Sequence, residues 1–240
     1  MLIIVAAATD KLNHMSRYNI FNQVHKALRA MLYDTLLTLQ QTWFADTEEA
    51  ESALQRVNKV LRIFDAHARH EDDFVLPAIA QYEPGLVDAF EQEHKQDHVL
   101  SESLRGLMLV YRHAMKAGVK IETGDAINRA FTEFMIFNLQ HMNREETILN
   151  KVLWRYYSDA ELFALNQQIV ASIPPAEITE TSTWMMRGMN NAEITAWLKA
   201  VEKNAPQQAL AGLLNLAESE LPAERYQKLQ ESLTEGMQIL

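Results

Sequence analysis

The chain has 240 residues, a formal charge of −10 and no cysteine. Disulfides, thiolate metal sites, cysteine nucleophiles and protein-ligated iron–sulfur clusters are therefore excluded, and the acidic balance argues against nucleic acid or an anionic membrane as partner. Only 7 glycines and 6 prolines occur, which suits long helices better than a turn-rich β-fold. The apolar start LIIVAAA has no preceding positive charge and is too short to span a bilayer, so a cytoplasmic protein without a membrane partner is expected.

Four long segments carry helical periodicity. The first runs from about Asn19 to Phe44, with Ile20, Val24, Leu28, Met31, Leu32 and Leu36 three or four apart. The second opens after Asp46 and Thr47, which suit N-caps, and runs to about Tyr82, with Pro77 expected to kink or end it. Pro84-Gly85 separates it from a third, which closes at Ala117-Gly118; the fourth is expected from near Gly124-Asp125 to about Tyr157. Short connections make neighbours antiparallel, so the expected fold is all-α: an up-down-up-down four-helix bundle over 15–157, with an all-helical C-terminal extension over 158–240. In that extension prolines at 174, 175, 206 and 222 separate shorter helices, and Ser158-Asp159-Ala160-Glu161 resembles a capping box. AELFALNQQIVASIP from Ala160 and AEITAWLKAVEKNAP from Ala192 echo one another, and Ala223-Glu224 follows at nearly the same interval. A period near thirty residues suits stacked helical hairpins, though amphipathic helices also resemble one another by chance. Trp184-Met185-Met186 and Trp197 fit either a core or a surface for a protein partner.

Residues four apart on a helix share a face, with Cβ atoms about 5–6 Å apart, close enough to hold one metal centre. His67 has Glu71 at that offset, His94 has His98, and His141 has Glu145. Exposed ion pairs have the same spacing, so each pair alone is ambiguous. Their distribution is more informative, because each of the four segments brings ligand-type side chains once His25 is counted. HARHEDDFVLP and HMNREETILNK, from His67 and His141, match as two halves of an internal two-fold. Superposing the first segment on the third aligns His25 with His98 and Phe21 with His94. One half then has three histidines and the other two, leaving an open coordination position beside an aromatic ring, as small-molecule binding requires.

With these residues the sequence resembles the hemerythrin family, in particular the bacterial proteins with the HHE cation-binding pattern, over about 15–157. The resemblance implies a four-helix bundle with two non-haem iron ions, bridged by carboxylates and an oxo or hydroxo group. His94, His98 and His141 resemble the ligands of the fully coordinated iron, and His25 and His67 those of the iron with an open position. Glu71 and Glu145 resemble the bridges, with Glu145 preferred to Glu146. Animal oxygen carriers place an Asp five residues after the last histidine, whereas this chain has Glu there and at four. Phe21 and Ile148 are expected to line the small-ligand pocket. The implied function is binding of a diatomic ligand, oxygen or nitric oxide, for sensing, storage or protection. The alternatives are a di-iron redox enzyme acting on peroxide or nitric oxide and an iron-centre repair protein, though the N-terminal cysteine motif of the repair branch is missing. The choice of iron over zinc or manganese rests on the resemblance, since imidazole and carboxylate suit all three.

Overall fold

The computed structural model describes residues 17–235, in which every regular element is helical. The LIIVAAA run, His14 and the first residues of the expected bundle lie outside the described residues. The helices are α1 (Asn22–Gln41), α2 (Thr47–His70), α3 (Leu76–Ile79), α4 (Pro84–His113), α5 (Ala117–Arg144), α6 (Asn150–Tyr156), α7 (Asp159–Ser172), α8 (Pro175–Gly188), α9 (Asn191–Asn204), α10 (Gln207–Glu220) and α11 (Ala223–Glu235). Two π-helical turns, Glu71–Val75 and Glu145–Leu149, follow α2 and α5. No helix among the described residues is long and apolar enough to cross a membrane.

The described residues divide into two compact units that do not follow chain order: residues 31–152, and residues 17–30 together with 153–235. In the 31–152 unit, Asp46 caps α2 by accepting from the amides of Glu48 and Glu49. The stripe Ala50, Ala53, Leu54, Val57, Val60, Leu61 and Phe64 is buried. The longest packing is between α4 and α5, and α2 also packs on α4. Phe64, Phe90, Phe131 and Phe134 are fully buried there, Phe64 meeting Phe134 edge to face at 5.3 Å.

Helix α5 starts at Ala117, not near Gly124 as expected, and Gly124 lies within it. A Cβ at Gly124 would overlap the Phe44 ring, so this glycine is a packing requirement and not a helix boundary. Pro77 falls in α3, after the π-turn has interrupted α2. The second π-turn contains no proline, so proline is not the shared cause. Both turns instead begin at a buried glutamate four residues after a histidine.

In the other unit the C-terminal helices are evenly spaced. α7, α9 and α11 begin at Asp159, Asn191 and Ala223, with α8 and α10 midway at Pro175 and Gln207, a step of sixteen residues. Ser158 with Glu161, and Asn190 with Glu193, form capping boxes at equivalent places. Pro174 and Pro206 stand at the starts of the intervening helices. The core there is dry and aliphatic, built on Met185, Met186, Ile194, Trp197, Leu198, Val201 and Leu213.

Candidate metal centre

Each of the two π-turns opens on a carboxylate buried in the interior of the 31–152 unit. Within these turns Glu71 is buried with Val75, and Glu145 with Leu149. Glu71 is 2% exposed and Glu145 is fully buried. A buried carboxylate is costly unless it meets donors or a cation, and here imidazoles surround both.

Glu71 divides its two oxygens between two sides. Its Oε1 lies 3.1 Å from Nε2 of His67, while its Oε2 lies 3.3 Å from Nε2 of His94 and 4.0 Å from Nε2 of His141. Glu145 Oε1 lies 3.1 Å from the same His141 nitrogen. One ligand atom from each of Glu71, His94, His141 and Glu145 lies within 4.8 Å of all the others.

The opposite ring nitrogens are anchored from neighbouring helices. Nδ1–H of His94 donates to Asp72 at 2.7 Å, and Nδ1–H of His141 donates to Glu93 at 2.7 Å, with Arg144 paired to Glu93 behind it. A carboxylate acceptor fixes each tautomer and aims Nε2 at the buried glutamates, as in carboxylate–histidine–metal arrangements. Phe137 stacks on the His141 ring and Phe90 meets it edge to face, which restricts water around that imidazole. Burial alone pulls both imidazoles down, but the carboxylates prevail. His94 is pushed up to about 9 by Asp72 and then Glu71, and His141 up to about 10 by Glu145 and then Glu71. A cation seated among these carboxylates takes the place of the protons. The donor set, imidazole and carboxylate with anchored tautomers, fits a divalent cation.

The expected residues separate on this geometry. His67, Glu71, His94, His141 and Glu145 meet, and Glu146 is only half-buried beside the fully buried Glu145. His98 does not join them and stands exposed. The buried stripe of α4 runs through Phe90, His94, Asp97, Ser101, Leu104, Met108 and Tyr111, alternating steps of four and three. After His94 the inward step is therefore three, and Asp97 takes the place expected of His98. Its carboxylate accepts a 2.6 Å hydrogen bond from Nδ2 of Asn138, and burial pushes its pKa up. Ile148 is 41% exposed on the outer side of its π-turn, so it does not line a buried pocket, whereas its neighbour Leu149 is buried.

His25 and Phe21 belong to the other unit. His25 is fully buried on the first turn of α1, and Phe21 stacks on it with ring centroids 5.1 Å apart. Asp72 and Glu93, the anchors of the imidazoles, were not singled out from sequence. Each follows or precedes a ligand-type residue directly, in Glu71-Asp72 and Glu93-His94, but bonds a histidine on a different helix.

The chain is similar to an F-box/LRR-repeat protein 5 from Salmo salar, 19% identical over 172 residues, which make up 72% of this chain and 24% of that protein. It thus spans about a quarter of that relative's length. The hemerythrin HHE cation-binding domain family matches residues 16–153, a stretch that includes every histidine and glutamate of the cluster. As that match covers more than half of the sequence, the chain belongs to the hemerythrin HHE cation-binding domain family.

Proposed function

We propose that the domain holds two iron ions and binds a small diatomic ligand, oxygen first and nitric oxide second, for sensing, storage or protection. The observation that carries this reading is the division of Glu71, whose oxygens face His67 on one side and His94 with His141 on the other. A carboxylate presented in this way suits a bridge between two cations better than a single ion. His94 and His141 would hold one iron, and His67 with His25 the other, Glu71 and Glu145 spanning both. The assignment of His25 rests on the family resemblance and on its complete burial. Iron held there would supply redox-active centres able to take up a small ligand. Within the chain, Asp72 and Glu93 orient the imidazoles, Phe90 and Phe137 restrict water around His141, and Phe21 provides the apolar neighbour of His25.

A second reading is a di-iron redox enzyme acting on peroxide or nitric oxide. The exposure of His98 favours it, because two imidazoles on the His94 side leave room for more than one exogenous ligand. Metal analysis and visible spectra of the aerobic, the anaerobically reduced and the re-exposed protein test both readings. Two irons per chain with reversible spectral change on oxygen or nitric oxide support ligand binding, and steady consumption of peroxide supports the enzyme. Zinc in place of iron, or no metal, contradicts both.

A further inference from the structure

The segment that carries His25 is built into the same compact unit as the C-terminal helices, through contacts that surround the histidine in sequence. His25 lies in the first turn of α1, whose start rests on a hydrogen bond from the Phe21 amide to Asn19 Oδ1 at 2.9 Å. First turns fray unless something outside the helix ties them down. Here α6 and the C-terminal helices supply the ties. Arg17 donates to the Asp159 carboxylate at 2.9 Å and to the carbonyls of Trp154 and Tyr157. The Trp154 indole N–H donates to the Tyr18 carbonyl at 2.7 Å.

Two contacts bear on the turn itself. Glu193 of α9 accepts through Oε1 from Lys26 at 2.5 Å and from Asn22 at 3.2 Å, while its Oε2 accepts from the Asn190 amide at 3.0 Å. One carboxylate therefore closes a capping box and grips the residues three before and one after His25. Gly188, at the end of α8, lies against the backbone carbonyl of Lys26 so closely that a Cβ would overlap it. Ala27 is buried among Met185, Met186 and Trp197, which completes the seat.

We propose that the C-terminal helices are the scaffold that fixes His25, with Glu193 and Gly188 as positioning residues for that ligand. This rests on the two-iron reading above. A ligand must be held to within about 0.5 Å to bind metal well, and a single end turn does not hold itself that firmly. The C-terminal helices then act on the metal centre without contributing a ligand to it, and anything that loosens α8 or α9 from α1 releases one metal before the other.

The test measures ferrous and cobaltous ion binding to the full-length protein under anaerobic conditions, with circular dichroism and thermal unfolding alongside. Wild type, Glu193→Ala, Gly188→Ala, His25→Ala and the double variant E193A/H25A are compared. Arg225→Ala is the control, since Arg225 bonds Asn191 and the Met189 carbonyl and makes no contact with α1 among those described. Glu193→Ala and Gly188→Ala are expected to weaken one of two metal equivalents about tenfold, at the low end for residues that orient a ligand, and to leave the other equivalent unchanged. The double variant should bind no more weakly than His25→Ala alone, as coupled residues do. Full retention of both metals in Glu193→Ala and Gly188→Ala overturns the proposal. So does an equal loss of metal in Arg225→Ala at equal loss of thermal stability, which would make the effect one of stability alone. A wild type that holds fewer than two metals overturns the two-iron reading, and the proposal with it.

Discussion

The interior of the 31–152 unit and the core of the C-terminal helices are made of different materials. The first sets three carboxylates, Glu71, Asp97 and Glu145, and several imidazoles among its phenylalanines, and the second packs methionine, leucine and tryptophan with few buried polar groups. Apolar burial stabilises a helical core without further help, whereas buried charges need partners arranged in one geometry. The lesson is that the two interiors are stabilised in different ways, one by paired buried charges beside its aromatic packing and the other by apolar packing alone. α2 and α5 each pass into a π-turn that opens on a buried glutamate, whereas the evenly spaced C-terminal helices contain no such turn among the described residues.

Substitutions sharpen this contrast. Glu71→Ala removes a carboxylate whose two oxygens face His67 on one side and His94 with His141 on the other, and metal binding should fall on the order of 100-fold or more while helix content is retained. Metal titration followed by circular dichroism checks this, and undiminished binding would show that Glu71 is not a bridge. Trp197→Ala in the dry core should leave metal chemistry intact in the remaining folded protein but cost about 3–5 kcal/mol of stability by denaturant unfolding. Gly124→Ala forces a Cβ into the Phe44 ring and should cost roughly 1–3 kcal/mol, which is relieved if Phe44 is also made smaller.

A smaller effect concerns pH. Burial pushes the Glu193 carboxyl up, but Lys26, the Asn190 amide and Asn22 outweigh it and hold the pKa below the ordinary value of 4.5. A group with a depressed folded pKa adds stability above its unfolded pKa and loses it as pH falls through the folded one. The stability advantage of wild type over Glu193→Gln should therefore be present at neutral pH and shrink below about pH 4.5. An advantage that grows on acidification would reverse the sign. The smallest change is expected at His98, where alanine should leave metal stoichiometry unaltered and shift stability by no more than about 0.5 kcal/mol, as at an ordinary exposed site.

Much of the centre was legible because helical spacing is a local rule. His67 with Glu71, and His141 with Glu145, are four apart, and the regular ends of α2 and α5 keep each pair together. His94 with His98 obeys the same rule and is misleading, because the inward stripe of α4 steps by three after His94, a choice made by packing against other helices. Asp72 and Glu93 bond histidines on other helices, and no spacing within one helix announces such a contact. Gly124 reads as a helix boundary by propensity, yet its role depends on Phe44, eighty residues earlier. The C-terminal echo was readable for the opposite reason: capping residues and prolines act locally, so Ser158 and Asn190 mark equivalent helix starts directly.

X-ray absorption at the iron edge of the iron-loaded protein, with iron counted per chain, tests the central claim most directly. A short iron–iron distance, two irons per chain and about two imidazoles on each iron are the expected result, from the split of Glu71 and the exposure of His98. A single isolated metal with no metal–metal scattering would contradict it.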